Sequence, residues 1–172
     1  MQTWRLFAAP EIRLSPEEAI TLAAYTGAAY RAINSYLREG GSAEPILEQR
    51  IGHLDRVLAN NPTPVSLVVY RGVGEAFAAE LVARGLAVGD IIQDKGFLST
   101  SRLQDVAATF MHDSDGMLLA IRIPAESKAL DIAALSAYPG EAEVLLARDA
   151  RLRVVGYDAV ADILELELLG DG

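Results

Sequence analysis

Three short segments carry polar side chains where a plain strand or turn would carry blander ones. In Val69-Tyr70-Arg71-Gly72 an arginine closes an apolar stretch, and the glycine after it lets a ligand approach the backbone. Gly96-Phe97-Leu98-Ser99-Thr100-Ser101 ends in three consecutive hydroxyls, which offer hydrogen bonds to neighbouring backbone and side chains. In Tyr138-Pro139-Gly140-Glu141-Ala142-Glu143-Val144-Leu145-Leu146 a turn feeds an apolar strand whose first residues hold two carboxylates. Side chains at i and i+2 share a strand face, so Glu141 and Glu143 are expected to look into one site. Like charges held that close raise the pKa of one of the pair. Each segment has a plainer reading when taken alone: a surface arginine ending a strand, a Ser/Thr edge strand, a solvated glutamate pair.

The elements that must position these residues follow from pattern and punctuation. Ser15-Pro16-Glu17-Glu18 opens a helix, with Ser15 as cap, Pro16 at the first helical position and Glu18 completing a capping box. Ile20, Ala23, Tyr30, Ile33 and Leu37 then recur at helical spacing until Gly40-Gly41. A second helix is expected over Ile46 to Leu58, before Asn60-Asn61-Pro62. From Val65 the period changes. Strands are expected at 66–70, 96–101, 117–123, 129–132, 143–147, 152–157 and 163–169, with short helices at 75–84 and 103–110. Helices first and strands afterwards predict an α+β fold with an antiparallel or mixed sheet. Residues 1–62 form its helical region and 63–172 its strand-rich part, within one domain.

Composition removes several function classes. The chain has no cysteine, which excludes a thiol nucleophile, a zinc knuckle and a disulfide scaffold. A net charge of −9 without a Lys/Arg cluster argues against nucleic acid as the main partner. No apolar run reaches the roughly 18 residues that span a bilayer. The opening Met-Gln-Thr-Trp-Arg is unlike a signal peptide, so the expectation is a cytoplasmic chain or one exported without a removable leader. Gly72-Val73-Gly74 does not complete a dinucleotide fingerprint, since Phe77 holds the third glycine position. There is no P-loop, no HExxH and no nucleophile elbow. His53 and His112 lie far apart, read as surface residues and predict no metal site.

Taken together and in order, Arg71, then Ser99-Thr100-Ser101, then Glu141-x-Glu143 resemble the Arg–Ser–Glu clade of mono-ADP-ribosyltransferases, above all the bacterial toxin-type exoenzymes. The resemblance spans about residues 20–155 and extends to Tyr25, Tyr30 and Asn34, which fall at the spacing of that family's NAD-contacting helix. Phe110 stands where the family stacks an aromatic on nicotinamide, and Tyr138 where its target-recognition loop carries one. Two positions depart from the pattern. Gly72 stands where many toxin relatives place a second arginine, and His112-Asp113-Ser114-Asp115 where some carry another. Fewer cationic partners for the NAD phosphates are therefore expected.

What the resemblance implies is specific. The fold would be two short sheets packed across one another, with NAD+ as substrate in the cleft between them, no metal, and the N-terminal helices covering one side. Glu143 would hold the ribose 2′-hydroxyl and face an oxocarbenium-like transition state, while Glu141 would orient and deprotonate the acceptor. Two glutamates in this motif imply an arginine acceptor. Arg71 would hold NAD phosphate beside Gly72, Ser99 would fix Glu143, and Thr100 and Ser101 would support it. Tyr25, Tyr30 and Phe110 would supply stacking surface, and Asn34 a contact to NAD. The implied partners are a target protein recognised through Tyr138 and Glu141, and a cognate immunity or inhibitor protein. The setting is an effector exported or injected into a target cell. Alternatives are an NAD glycohydrolase toxin, transfer to a non-protein acceptor such as RNA, a non-toxic housekeeping or phage enzyme, and an inactive binding module.

Overall fold

The computed structural model describes residues 12–42, 44–111, 116–136 and 138–170. The segment His112 to Asp115 lies outside the described residues. Helix α1 (Pro16–Ala24) begins as its sequence dictates: Ser15 Oγ accepts the Glu18 amide at 3.1 Å, and the Glu18 carboxylate accepts the Ser15 amide at 2.7 Å. A π-helical turn (Tyr25–Ala29) joins it to α2 (Tyr30–Glu39), which ends at Gly40 with a positive φ. Helix α3 (Pro45–Asn60) completes the N-terminal layer.

The single helical face expected across residues 20–37 is broken by that π turn. Its extra residue shifts the register, so α1 buries Glu18, Thr21 and Leu22, while Ile20 is 70% exposed. His53 is half-buried and shares a 2.7 Å hydrogen bond with Thr21, which corrects its reading as a surface residue.

The strands are β1 (Leu67–Val73), β2 (Ile91–Asp94), β3 (Leu98–Ser101), β4 (Met117–Ile123), β5 (Ala129–Asp131), β6 (Glu143–Leu146), β7 (Ala150–Asp158) and β8 (Ile163–Leu168). Helix α4 (Glu75–Ala83) follows β1, and α5 (Gln104–Thr109) follows β3. Among the described residues these strands form one mixed sheet, in the order β2-β7-β8-β4-β1-β3-β6-β5. All neighbours are antiparallel except the parallel pair β4–β8. Two separate sheets were expected; instead the halves are hydrogen-bonded into one order whose junction is narrow. Strand β1 pairs with β4 from Leu67↔Ile123 to Val73↔Met117, but meets β3 in register only at Tyr70↔Ser101.

That junction separates two cores. One contains Val69, Leu119, Ile121, Val144, Leu146, Leu152 and Leu166, with α4 packed on it through Ala78 and Leu81. The other lies under α1–α3 and contains Leu22, Tyr25, Ile33, Leu54, Leu58, Phe97, Ile132 and Leu145. Strand alternation assigns the site residues to one side. Residues opposite each other in a ladder share a face, so the pairs Ser99↔Leu145 and Ser101↔Glu143 lie toward the helical layer. Thr100↔Val144 faces the other core, and Thr100 Oγ1 donates to the Val144 carbonyl at 2.7 Å.

Gly72 is required by packing rather than by ligand access. A Cβ there would come 2.1 Å from the Ala107 carbonyl oxygen and 3.1 Å from Met111, where the end of α5 lies against β1. Gly72→Ala is expected to destabilise the fold by about 1–3 kcal/mol or more, read as a lowered denaturation midpoint. The same crowding explains why an arginine is not accommodated at this position.

Candidate active site

A cavity of about 470 Å³ opens at the junction of the sheet halves, and every site residue named from the sequence lines it. One wall comes from the helical layer. In a regular α-helix Tyr25 and Tyr30, five residues apart, would point about 140° away from each other. The wider π turn brings both to the cavity, with ring centroids 6.2 Å apart in an edge-on arrangement. Asn34 and Arg38 then follow at four-residue steps along the same face of α2.

Their contacts differ from a simple stacking platform. Tyr25 is 1% exposed, its ring held between Tyr30 and Phe97, so almost none of it is open to a ligand. Asn34 Nδ2 donates to the Tyr25 hydroxyl at 3.0 Å, and Asn34 Oδ1 accepts the Phe97 amide at 2.9 Å. Asn34 is thus a buried clamp between helix and sheet as well as a cavity residue. Tyr30 is half-buried beneath Arg31, whose guanidinium lies 5.6 Å from the ring centroid. Phe110 and Tyr138 remain about half exposed at the cavity's edge, as stacking or recognition surfaces would need to be.

The cationic part of the cavity has a member that sequence reading missed. Arg38 pairs with Asp94 at 2.9 Å, and its guanidinium lies over Gly96, where a Cβ would approach within 2.9 Å. Its only signal in the sequence was its place four residues beyond Asn34; Asp94 is 56 residues away. Arg71 Nη1 donates to the Ser99 carbonyl at 2.8 Å, tying β1 to β3 where their ladder holds a single pair. Burial pushes the Arg71 guanidinium below its ordinary range, the neighbouring Arg38 charge adds to this, and Asp94 opposes it. Two partly desolvated guanidinium groups so close together gain most from a ligand with adjacent negative charges, such as a pyrophosphate.

The acidic part departs from the strand expectation. Only Glu143 is in β6; Glu141 ends a 3-10 turn (Pro139–Glu141), and Ala142 between them has φ 48°. Glu141 and Glu143 therefore do not share a strand face by i, i+2 alternation, because the left-handed residue interrupts it. Both carboxylates still reach the same cavity. The turn is anchored instead by hydrogen bonds: Ser101 Oγ donates to the Glu141 carbonyl at 2.6 Å and accepts the Leu103 amide at 3.0 Å. The Arg102 amide donates to the Ala142 carbonyl at 3.1 Å. Glu143 is 7% exposed. Burial raises its pKa, the hydrogen bond from Ser99 opposes this, and the nearby Glu141 charge raises it further. Among the described residues no group of His, Cys, Asp or Glu is arranged to hold a metal ion. No helix among them is long and apolar enough to cross a membrane.

Comparison with known proteins agrees with this geometry. Residues 2–166 match the family model described as ADP-ribosyltransferase exoenzyme. No curated protein matches the chain. Among solved structures it is similar to Plx2a, an ADP-ribosyltransferase toxin from Paenibacillus larvae, at 25% identity and a TM-score of 0.77, covering 98% of this chain and 90% of that one. Exoenzyme S from Pseudomonas aeruginosa, solved with human 14-3-3 protein beta and Carba-NAD, is 22% identical with a TM-score of 0.74, covering 90% and 74%. The Vibrio splendidus toxin Vis in complex with agmatine is 23% identical with a TM-score of 0.71, covering 91% and 75%.

Proposed function

This chain belongs to the ADP-ribosyltransferase exoenzyme family, and from that premise we propose that it transfers ADP-ribose from NAD+ to an arginine of a target protein. The observation that carries this reading is one cavity holding two carboxylates, Glu141 and Glu143, together with three guanidinium groups, Arg31, Arg38 and Arg71. Exoenzyme S was solved with Carba-NAD and Vis with agmatine, a guanidinium compound, which supports both substrates by similarity.

The residues divide the work by charge. Arg71 and Arg38 hold the pyrophosphate of NAD+, bending the dinucleotide so that its nicotinamide ribose meets Glu143. The bond between ribose C1′ and the nicotinamide nitrogen breaks, and nicotinamide leaves with the electron pair. Positive charge develops at C1′ and O4′, and the buried Glu143 carboxylate stabilises it. A guanidinium nitrogen of the acceptor forms the new bond to C1′, and Glu141 takes the proton that nitrogen loses. Ser101 serves this step indirectly, since it anchors the turn that carries Glu141. Phe110 and Tyr138 flank the opening and meet the nicotinamide and the target surface. In this reading the chain is an exported or injected effector, kept harmless in its producer by an inhibitor protein.

Arg38→Gln keeps a polar side chain but shortens it and removes its charge. Its KM for NAD+ is expected to rise about tenfold, since a charge-assisted hydrogen bond contributes roughly 1.5–3 kcal/mol. A KM equal to that of the unaltered protein contradicts a phosphate role for Arg38. The reading as a whole is tested with agmatine as acceptor. An ADP-ribosyl-agmatine adduct detected by mass spectrometry supports arginine transfer. Nicotinamide and free ADP-ribose in equal amounts, with no adduct, replace it by NAD hydrolysis.

A further inference from the structure

We propose that Asp94 and Gly96 are positioning residues for Arg38, forming a seat that fixes the plane of its guanidinium; the inference rests on the reading of Arg38 as a holder of the NAD+ pyrophosphate. Arg38 lines the cavity, whereas Asp94 and Gly96 are not among its lining residues. Both therefore act through Arg38 rather than on substrate.

The seat is built from a short loop. Strand β2 ends at Asp94, and Lys95, Gly96 and Phe97 carry the chain across to β3. Two residues of α2, one helical turn apart, receive this loop. Asn34 Oδ1 accepts the Phe97 amide at 2.9 Å, and Arg38 Nε donates to Asp94 Oδ1 at 2.9 Å. The same Asp94 oxygen accepts the Gly96 amide at 2.7 Å, which holds the carboxylate in place. With its Nε–H given to Asp94, the guanidinium loses rotation about the Cδ–Nε bond. Its Nη donors remain for an anion.

Gly96 supplies the second surface of the seat. A Cβ there would lie 2.9 Å from Arg38 Nε and 3.0 Å from both Cζ and Nη2, so the flat face of the guanidinium rests directly on the glycine. The backbone of Gly96 is not in the left-handed region, and the first atoms a side chain would meet are those of Arg38. The arginine above it, rather than the turn of the chain, explains the glycine.

An unseated arginine gives up its rotamer freedom when it grips an anion. One already seated has lost that freedom before the ligand arrives, which favours binding. Asp94 also carries charge of the same sign as the ligand. The Arg38 and Asp94 side chains are 38% and 22% exposed, so water and salt weaken that repulsion. The orientation of the fork depends directly on the contact. Removing Asp94 is therefore expected to weaken phosphate binding rather than strengthen it.

The test titrates the full chain with ADP, which carries the two phosphates and no nicotinamide, and reads affinity by calorimetry without turnover. Asp94→Ala and Gly96→Ala are each expected to weaken ADP binding about tenfold, the scale of one charge-assisted hydrogen bond. KM for NAD+ should rise in parallel, kcat should stay within about twofold, and inhibition by nicotinamide, which has no phosphate, should be unchanged. Asp94→Asn keeps an oxygen that accepts from both Arg38 and Gly96, and should hold ADP within about threefold of the unaltered protein. In an Arg38→Gln background neither alanine change should weaken ADP binding further, because both act through that side chain. ADP binding in Asp94→Ala or Gly96→Ala as tight as in the unaltered protein, or tighter, overturns the proposal. Losses that add to that of Arg38→Gln overturn it, as does an equal loss of nicotinamide inhibition, which marks a collapsed loop. A loss in Asp94→Asn as large as in Asp94→Ala assigns the effect to charge and overturns the seat. Should Asp94→Ala fail to fold by circular dichroism, Gly96→Ala carries the test, since its added methyl meets the movable end of a side chain. Failure of the underlying reading has a different signature: Arg38→Gln itself then binds ADP as tightly as the unaltered protein, whatever the Asp94 and Gly96 variants do.

Discussion

Glu143→Gln is expected to lower NAD+ turnover and ADP-ribose transfer together by about 10³-fold, the scale on which a preorganised electrostatic group acts at a developing charge. The amide has the same shape and still accepts a hydrogen bond from Ser99, so the pocket should keep its form and KM for NAD+ should change little. What is lost is the negative charge facing the oxocarbenium-like ribose. The same substitution is expected to stabilise the folded protein at neutral pH. Burial and the Glu141 charge raise the Glu143 pKa in the folded state above its unfolded value. Its contribution to stability is therefore full in acid, below the unfolded pKa, and is lost as pH rises through the folded pKa. Glutamine stays neutral throughout. The melting temperature of Glu143→Gln should exceed that of the unaltered protein at pH 7, and the gap should close on acidification. An inactive variant that melts lower at pH 7 indicates a structural role for the carboxylate instead.

Glu141→Gln should separate two activities that Glu143→Gln removes together. Arginine transfer is expected to fall by about 10²-fold or more, the usual weight of a positioned general base. NAD+ hydrolysis should be largely retained, since bond breaking at C1′ depends on Glu143, and water needs neither charge attraction nor a fixed approach. The structure supports this division. Glu143 is buried in β6, whereas Glu141 is half-buried on a turn anchored by the Ser101 hydroxyl and the Arg102 amide. The measurement compares nicotinamide release with adduct formation in one reaction mixture. Equal loss of both refutes separate roles. Removing the Glu141 charge also lowers the pKa of Glu143, so the acid limb of the remaining hydrolysis should move to lower pH.

Local chemistry was legible in the sequence wherever it was sufficient to decide the structure. The capping box at Ser15 and Glu18 involves four consecutive residues and forms as expected. The strand over 117–123 has the expected ends, since its apolar run is bounded on both sides. The candidate residues were picked out because their order along the chain resembles a known motif set, and folding brings them to one cavity. The misses share a different origin. The π turn at Tyr25–Ala29 has no distinctive composition, yet it decides which residues of the first helices face inward. Ala142 takes a left-handed conformation although it is neither glycine nor asparagine, and this displaces Glu141 from the strand. Strand β2 is four residues long and is held by its partner β7 some 60 positions away. Gly72 and Arg38 depend on Ala107 and Asp94, contacts that exist only once the chain has folded. Tertiary context, rather than propensity, decided each of these.

The most direct test of the central claim is incubation of the purified chain with labelled NAD+ and a cell lysate, with Glu143→Gln in parallel. Label is expected on a discrete protein band, released by neutral hydroxylamine as an arginine linkage should be, and absent with the variant. Free ADP-ribose and nicotinamide without a labelled band, or equal labelling by Glu143→Gln, would contradict it.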